Sequence, residues 1–206
     1  VSARSQNVLS EYESKQILSG LGIPVTREIL ALSAEEAVKG SQILGYPVVM
    51  KVNSPDIIHK TEIGGVALNL KNEEEVYICY EEMMKKVTEL CNEAEIQGIL
   101  VQEMVNKGIE VIIGIKRDPV FGPVLTFGLG GIFTELFKDV TYKLAPTTPK
   151  SARKMLEEIR GYSLLNGFRG SAKADMEALV DLLVRVSNLS EELSIQQMDL
   201  NPVVVL

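Results

Sequence analysis

The first residue whose type and position indicate chemistry is Lys51, at the end of an apolar strand predicted over residues 46–52. A buried ammonium group without a partner is costly, so this lysine must reach either water or an anion. In the functional interpretation it binds a phosphate at a cleft. In the structural alternative its aliphatic stem packs at the strand end while the ammonium group reaches solvent. Taken alone, the strand favours the structural alternative.

A loop with paired glycines follows this strand and leads to the next one. It contains the run His59-Lys60-Thr61 and ends with Gly64 and Gly65. Paired glycines allow backbone amides to approach an anion closely, while the lysine adds charge and the threonine adds a hydroxyl. The pattern is not a P-loop, because the GxxxxGK[ST] spacing is absent and no helix follows. A plain turn explains these residues equally well.

His59 is the single histidine of the chain. Histidine acts as a general base, as a metal ligand or as a nucleophile that carries a phosphoryl group. A histidine metal site would need a second imidazole, which this sequence lacks. A solitary histidine in a loop is most often an ordinary surface residue, so residue type alone favours that interpretation.

Two further segments carry groups that suit a nucleoside. Gln102, Glu103 and Val105 lie where a predicted strand runs into a short linker, and the exposed backbone of such a linker can bind an adenine edge. Glu110 follows, and its carboxylate suits ribose hydroxyls. The glycine-rich run at residues 128–131 is a candidate anion nest. A solvated strand end and an ordinary turn are the alternatives.

Asp199 and Asn201 are candidate metal ligands near the C-terminal end of the sequence. Residues two apart on a strand point to the same face, so their side chains are expected on one side. Both offer oxygen atoms, which suits Mg²⁺ bound between phosphates. The dipeptide Asn201-Pro202 also fits a simple turn, and the two interpretations are equal.

Composition disfavours several classes of partner. The net charge of −7 disfavours broad binding to nucleic acid or to an anionic membrane. No apolar run approaches the ~20 residues that span a bilayer, and residues 1–8 lack a signal-peptide core. Cys79 and Cys91 fit neither a zinc site nor a CxxC pair. We therefore expect a cytoplasmic protein without a nucleic-acid or membrane partner.

The elements that must position these residues are mixed helices and strands. Helices are predicted to follow the N-caps Ser10, Ser33, Asn72 and Thr148. These helices run to about residues 18, 44, 90 and 159, and others cover residues 133–137 and 176–193. Beside the first strand, extended segments are predicted over residues 23–27, 66–70, 96–105, 109–116, 120–127, 140–144, 195–200 and 203–205. Hairpin-like neighbours favour an α+β fold over a doubly wound sheet.

Taken in order, these segments resemble the ATP-grasp fold. The resemblance is closest to the nucleotide-binding subunit of ADP-forming acyl-CoA synthetases, relatives of succinyl-CoA synthetase. It covers residues 9–206. The motifs that carry it are EYESKQILSGLGIP at residues 11–24, PVVMKVNSPDIIHKTEIGGV at residues 47–66, ILVQEMVNKGIE at residues 99–110, GLGGIFT at residues 128–134 and DLNP at residues 199–202.

The resemblance implies two lobes with a nucleotide cleft between them. It places the first lobe at residues 21–102 and the second at residues 103–206. A helix at residues 9–20 would pack on the second lobe, after a tail at residues 1–8. The family pattern has a second acidic Mg²⁺ ligand a little beyond the Asn-Pro motif, past residue 206. Either that ligand lies on a strand past the end of this sequence, or the metal site is incomplete.

The resemblance also assigns roles to the candidate residues. ATP or ADP would be the substrate and Mg²⁺ the metal ion. The implied nucleotide contacts are Lys51, Lys60, Thr61, Gly64, Gly65, Gln102, Glu103, Val105 and Glu110. Asp199 and Asn201 would lie at Mg²⁺.

A role for His59 comes from the same resemblance. In this family a CoA-binding α subunit forms an acyl phosphate, and a histidine of that subunit takes the phosphoryl group. A second histidine, just before a KxxxGGV loop, relays it to ADP, and His59 occupies that position. The implied reaction is acyl-CoA + ADP + Pi ⇌ acid + CoA + ATP, in a hetero-oligomer.

Three alternatives to this catalytic subunit remain at the level of sequence. The chain could grip a nucleotide as a regulatory module without turnover. It could be a ligase of the same fold that uses an acyl phosphate directly, although such an enzyme needs no relay histidine. It could also be the ATP-grasp part of a larger acyltransferase.

Overall fold

A computed structural model describes residues 8–57, 60–105, 108–131, 138–193 and 195–206. The chain divides into two compact units, Val1–Val105 and Asn106–Leu206. Each unit contains a four-stranded antiparallel sheet together with helices. The predicted α+β class is therefore confirmed. No helix within the described ranges is long and apolar enough to cross a membrane.

The first unit is built around the sheet order β1-β4-β2-β3. Its elements are α1 (Glu11–Gly20), β1 (Glu28–Ala31), α2 (Ala34–Leu44), β2 (Val48–Asn53), β3 (Val66–Leu70), α3 (Glu73–Leu90) and β4 (Gly98–Glu103). Alternate β2 residues Val48, Met50 and Val52 enter a core with residues of α2 and α3. Because side chains alternate along a strand, Lys51 and Asn53 lie on the opposite face, where α1 contacts them.

The second unit is built around the sheet order β7-β6-β5-β8. Its elements are β5 (Ile109–Asp118), β6 (Gly122–Leu129), β7 (Val140–Leu144), α4 (Pro149–Glu158), α5 (Tyr162–Leu165), a 3₁₀ turn (Phe168–Gly170), α6 (Met176–Glu192) and β8 (Gln197–Val205). Val111, Ile113 and Ile115 of β5 are buried on the side that α4 and α6 cover. The alternate residues of β5, beginning with Glu110, lie on the other face of this sheet.

The helix starts follow the predicted local signals. Ser10 and Glu13 form a reciprocal capping box, in which each side chain accepts a hydrogen bond from the other residue's backbone amide. The side chains of Ser33, Asn72 and Thr148 each accept a hydrogen bond from the amide three residues later. All four predicted N-caps are confirmed, because this signal depends only on neighbouring residues.

Four of the predicted extended segments differ most from the structure. The edge strand occupies Glu28–Ala31 and not residues 23–27, because pairing with β4 begins only where the backbone of Arg27 meets that of Glu103. Strand β6 begins at Gly122, since the Asp118 carboxylate accepts the two amides just before it and closes a turn. The two predicted terminal strands are one continuous strand, β8. The helix predicted at residues 133–137 lies outside the described residues.

The boundary between the two compact units falls between Val105 and Asn106. The predicted lobes at residues 21–102 and 103–206, and the packing of residues 9–20 on the second lobe, remain predictions. Helix α1 belongs to the first unit. The physical reason is a set of polar contacts from its first turns to Lys51, Asn53 and other residues of that unit.

Gly98 should be intolerant of any side chain. Its φ is +132°, and a Cβ there would lie 2.7 Å from the carbonyl oxygen of Ala31. We expect Gly98→Ala to lower the free energy of unfolding by about 1–3 kcal/mol, measured by urea denaturation. Gly20→Ala is the matched control, because a Cβ at Gly20 would point into open space. Equal unfolding midpoints for the two variants would contradict this account of the β4 start.

Candidate functional site

A single carboxylate brings three lysines together on the α1 side of the first sheet. Glu11 Oε1 accepts hydrogen bonds from Lys51 Nζ and Lys15 Nζ, each at 3.0 Å. Its second oxygen, Oε2, accepts from Lys60 Nζ at 2.5 Å. Lys15 is one helical turn beyond Glu11, so the two share a face of α1. The two lysines predicted to bind phosphate thus converge on one anion.

A second carboxylate, that of Glu28 on β1, contacts this group through Lys15. Lys15 Nζ donates to Glu28 Oε2 at 2.6 Å and to Gln102 Oε1 at 2.9 Å. The Glu28 side chain is only 2% exposed, and its Oε1 has no hydrogen-bond partner in the described structure. Burial raises the pKa of Glu28, although Lys15 opposes that shift. Lys15 therefore links the two carboxylates of the cluster.

Glu11 is held in its charged form by its lysine neighbours. Burial is the largest single influence and opposes ionisation, but the combined fields of Lys51, Lys15 and Lys60 outweigh it. As a result the pKa of Glu11 lies well below its ordinary value. The side chains of all four residues are less than a quarter exposed. Water therefore screens these pairs less than it screens surface pairs.

The turn at residues 60–65 folds back onto β2. Gly65 N donates to Lys60 O at 2.7 Å, and Gly64 N donates to Thr61 O at 3.1 Å. Gly65 must lack a side chain, because a Cβ there would lie 2.7 Å from a methyl carbon of Val52. Both glycine amides, predicted as anion ligands, donate within the turn in this structure. The positive charge therefore comes from lysine side chains, while Thr61 is exposed.

His59 lies outside the described residues, so its assignment remains a prediction. Its neighbour in the sequence, Lys60, is described and points its ammonium group at Glu11. The predicted catalytic residue is thus adjacent along the chain to a lysine of the cluster.

Two of the three residues predicted to line an adenine have side chains that bind other residues of the first unit. Gln102 is buried and accepts a hydrogen bond from Lys15. The Glu103 carboxylate accepts hydrogen bonds from Arg27 N and Nε, and these lower the pKa of Glu103. Val105 is half-buried just beyond β4. The side chains of Gln102 and Glu103 are therefore engaged within the first unit.

In the second unit, Glu110 lies beside the glycine-rich run, a proximity that the sequence analysis did not predict. Gly130 N donates to Glu110 O at 2.7 Å. A Cβ at Gly130 would approach the Glu110 Cβ to 2.9 Å, so only glycine fits there. These residues line a cavity of about 700 Å³, together with Gly131, Lys173 and Val205. Glu110 itself is exposed.

The predicted metal ligands lie on β8. Asp199 pairs across from Gly114, and burial raises its pKa although the residue remains partly open to solvent. Its carboxylate has no hydrogen-bond partner among the described residues, so its oxygens are available to a cation. Asn201 is exposed and lies where the register with β5 is irregular, so simple alternation does not relate it to Asp199. No group of three or more Asp, Glu, His or Cys residues within the described ranges could hold a metal ion.

Sequence reasoning missed Glu11, Lys15 and Glu28. The spacing of Glu11 and Lys15 is a visible signal for a helical ion pair, and both lie in the EYESK motif. Their partners on β1, β2 and the turn are distant in sequence, so spacing alone cannot identify them.

Comparisons with known proteins extend over the whole chain. The family model of the ATP-grasp domain matches residues 1–206. The chain is 47% identical over 207 residues to the β subunit of the ADP-forming acetate–CoA ligase II of Pyrococcus furiosus. That alignment covers 100% of this chain and 88% of the relative.

Solved structures of similar proteins have the same fold. One is the dinucleotide forming acetyl-coenzyme A synthetase 1 of Ca. Korarchaeum cryptofilum with coenzyme A, Ca-AMPCP and HgCl+. Its TM-score is 0.92 at 48% identity, covering 96% of this chain and 86% of that chain. A second structure of that synthetase holds coenzyme A and Mg-AMPPCP, with the phosphohistidine segment pointing towards the nucleotide binding site. Its TM-score is 0.81 at 44% identity, covering 95% of this chain and 86% of that chain.

Glu11 should stabilise the first unit in a pH-dependent way. Its pKa is lowered on folding, so its contribution is fully present above the ordinary value of 4.5 and is lost as the pH falls below it. We expect Glu11→Gln to reduce the free energy of unfolding by about 1–3 kcal/mol at neutral pH. The difference from wild type should shrink between about pH 5 and pH 3 in urea titrations.

Glu13→Gln is the control, since Glu13 caps the same helix and contacts none of the three lysines. A stability difference between wild type and Glu11→Gln that does not change with pH would rule out the ion-pair explanation.

Proposed function

Because the chain belongs to the ATP-grasp family, we propose that it is the nucleotide-binding subunit of an ADP-forming acyl-CoA synthetase. In this role it binds ADP or ATP and exchanges a phosphoryl group with it through His59. A CoA-binding α subunit would carry the first phosphohistidine and the acyl chemistry. The overall reaction would be acyl-CoA + ADP + Pi ⇌ acid + CoA + ATP.

The observation that supports this proposal most directly is the convergence of Lys51 and Lys60. Their ammonium groups bind the two oxygens of one carboxylate. Two ammonium groups at this spacing can also contact neighbouring oxygens of a phosphate chain. Phosphoryl transfer depends mainly on positioning and on neutralising charge, which two partly buried lysines supply.

The proposed contacts with the base, the ribose and Mg²⁺ come from other residues of each unit. In the first unit, the backbone near Val105 would bind the base, because the nearby carboxylate of Glu103 is held by Arg27. In the second unit, the exposed Glu110 would bind ribose hydroxyls. Asp199, whose carboxylate has no partner among the described residues, and Asn201 would hold Mg²⁺. When bound, Mg²⁺ would neutralise part of the phosphate charge.

The phosphoryl step would use His59 as the relay. In the direction of ATP synthesis, the P–N bond of phosphorylated His59 breaks and phosphorus bonds to a terminal β-phosphate oxygen of ADP. The imidazole nitrogen keeps the electron pair of the broken bond. Lys60, the next residue, would neutralise charge near this transfer.

Lys51→Ala should weaken binding of Mg-ADP by about tenfold or more, because a charged hydrogen bond contributes about 1.5–3 kcal/mol. Isothermal titration calorimetry would measure the change. Lys39→Ala is the control, since Lys39 is an exposed lysine on α2. Equal ADP affinity for the Lys51 and Lys39 variants would show that the phosphates bind elsewhere.

His59→Ala should remove phosphoryl transfer while leaving ADP affinity within a few-fold of wild type. With the partner subunit, acyl-CoA, ADP and phosphate present, ATP formation should fall by at least about 10³-fold. Turnover at the wild-type rate would disprove the relay. If the wild-type chain binds ADP but never turns over with its partner, the regulatory alternative is correct.

A further inference from the structure

We propose that Glu11 is a built-in competitor of the nucleotide phosphates: its carboxylate occupies Lys51 and Lys60, and a phosphate chain binds there by displacing it. This inference rests on the proposed function, because it assumes that those two lysines bind the nucleotide. It makes Glu11 a determinant of affinity for phosphate-bearing ligands, through direct exchange of one anion for another.

The contacts of the two lysines support an exchange. Within the described ranges, Glu11 is the only hydrogen-bond partner of Lys51 Nζ and of Lys60 Nζ. Each lysine contacts a different oxygen of the same carboxylate. A phosphate that contacts both ammonium groups must therefore take the place of this carboxylate or lie directly against its negative charge. Either arrangement makes phosphate binding less favourable than it would be without Glu11.

The net charge of the cluster explains how a phosphate chain can displace the Glu11 carboxylate from the lysines. Three lysines and the carboxylates of Glu11 and Glu28 give +3 − 2 = +1 when all are ionised. Without Glu11 the same group carries +2. A nucleoside diphosphate brings more negative charge and more oxygens than one carboxylate, so it competes effectively for the lysines.

Lys15 provides a place for the displaced carboxylate. It contacts Glu11 from the next turn of α1 at 3.0 Å, so it can remain paired with Glu11 when the other two lysines change partner. Glu28 and Gln102 hold Lys15 in position. The exchange therefore needs side-chain movement only, and Glu11 is not left without a cation.

The test is isothermal titration of wild type, Glu11→Gln and Glu13→Gln with ADP, with pyrophosphate and with adenosine. We expect Glu11→Gln to bind ADP and pyrophosphate about five- to tenfold more tightly, because the competing charge is gone. Adenosine, which has no phosphate, should bind within about twofold of wild type, and Glu13→Gln should match wild type for all three. Unchanged or weaker ADP binding to Glu11→Gln would overturn the proposal.

Two further measurements separate the possible failures. If Lys51→Ala leaves ADP affinity unchanged, the proposed nucleotide site itself is wrong. If that variant loses affinity for ADP but Glu11→Gln does not gain it, only the proposed competition is wrong, and Glu11 positions the lysines.

Should Glu11→Gln fail to fold, carboxyl ¹³C NMR of glutamate-labelled wild type tests whether Glu11 changes its partners. The Glu11 signal should shift on adding ADP but not adenosine, and a signal unmoved by ADP would overturn the proposal.

Discussion

An ammonium group can leave bulk water only beside an anion, and this constraint organises the first unit. Lys51 comes from β2, Lys60 from the turn after it, and Lys15 from α1. All three reach Glu11, so one carboxylate ties together segments that are distant in sequence. The same pairing fixes α1 against the sheet. Removing either partner would leave charge in a partly dry environment, so we expect the cluster to stabilise the first unit.

The two units differ in how their charges are matched. In the first, the lysines have an internal counter-ion, and Glu103 has Arg27. In the second, Asp199 and Glu110 have no cationic partner among the residues that the structure describes. Lysines held by a removable anion suit phosphate oxygens, while unpaired carboxylates suit hydroxyls and metal ions. This division agrees with the roles proposed for each set of residues.

The sequence was most informative where structure depends on near neighbours. The capping residues, such as Ser10 and Thr148, were predicted because each side chain binds an amide three residues away. The expectation that Lys51 must reach water or an anion was correct, because its ammonium group binds Glu11. Errors arose where pairing with another strand decides the outcome, as at β1. Short elements such as α5 gave too little periodicity to be recognised.

The candidate site shows the same limit. Lys51, Lys60 and Gln102 were identified from the sequence, and the structure brings them to one side of the first sheet. Glu11 was not identified, because its importance depends on tertiary contacts that no local pattern reveals. The resemblance to ATP-grasp synthetases placed EYESK within a shared motif without giving Glu11 a role. The family and the fold are confirmed, whereas the roles of all the candidate site residues, His59, Glu110 and Asn201 among them, remain predictions.

The irregular register between β8 and β5 has a consequence for the end of the chain. Before it, Met198 and Leu200 pair with Ile115 and Ile113, whereas after it Val203 and Val205 pair with Val111 and Ile109. The inward positions thus change from even to odd numbers. This phase shift lets one strand carry Asp199 outward and still place Val203 and Val205 on the inward face. Deleting a single residue there would turn those valines to solvent, so the strand's length is as constrained as its composition.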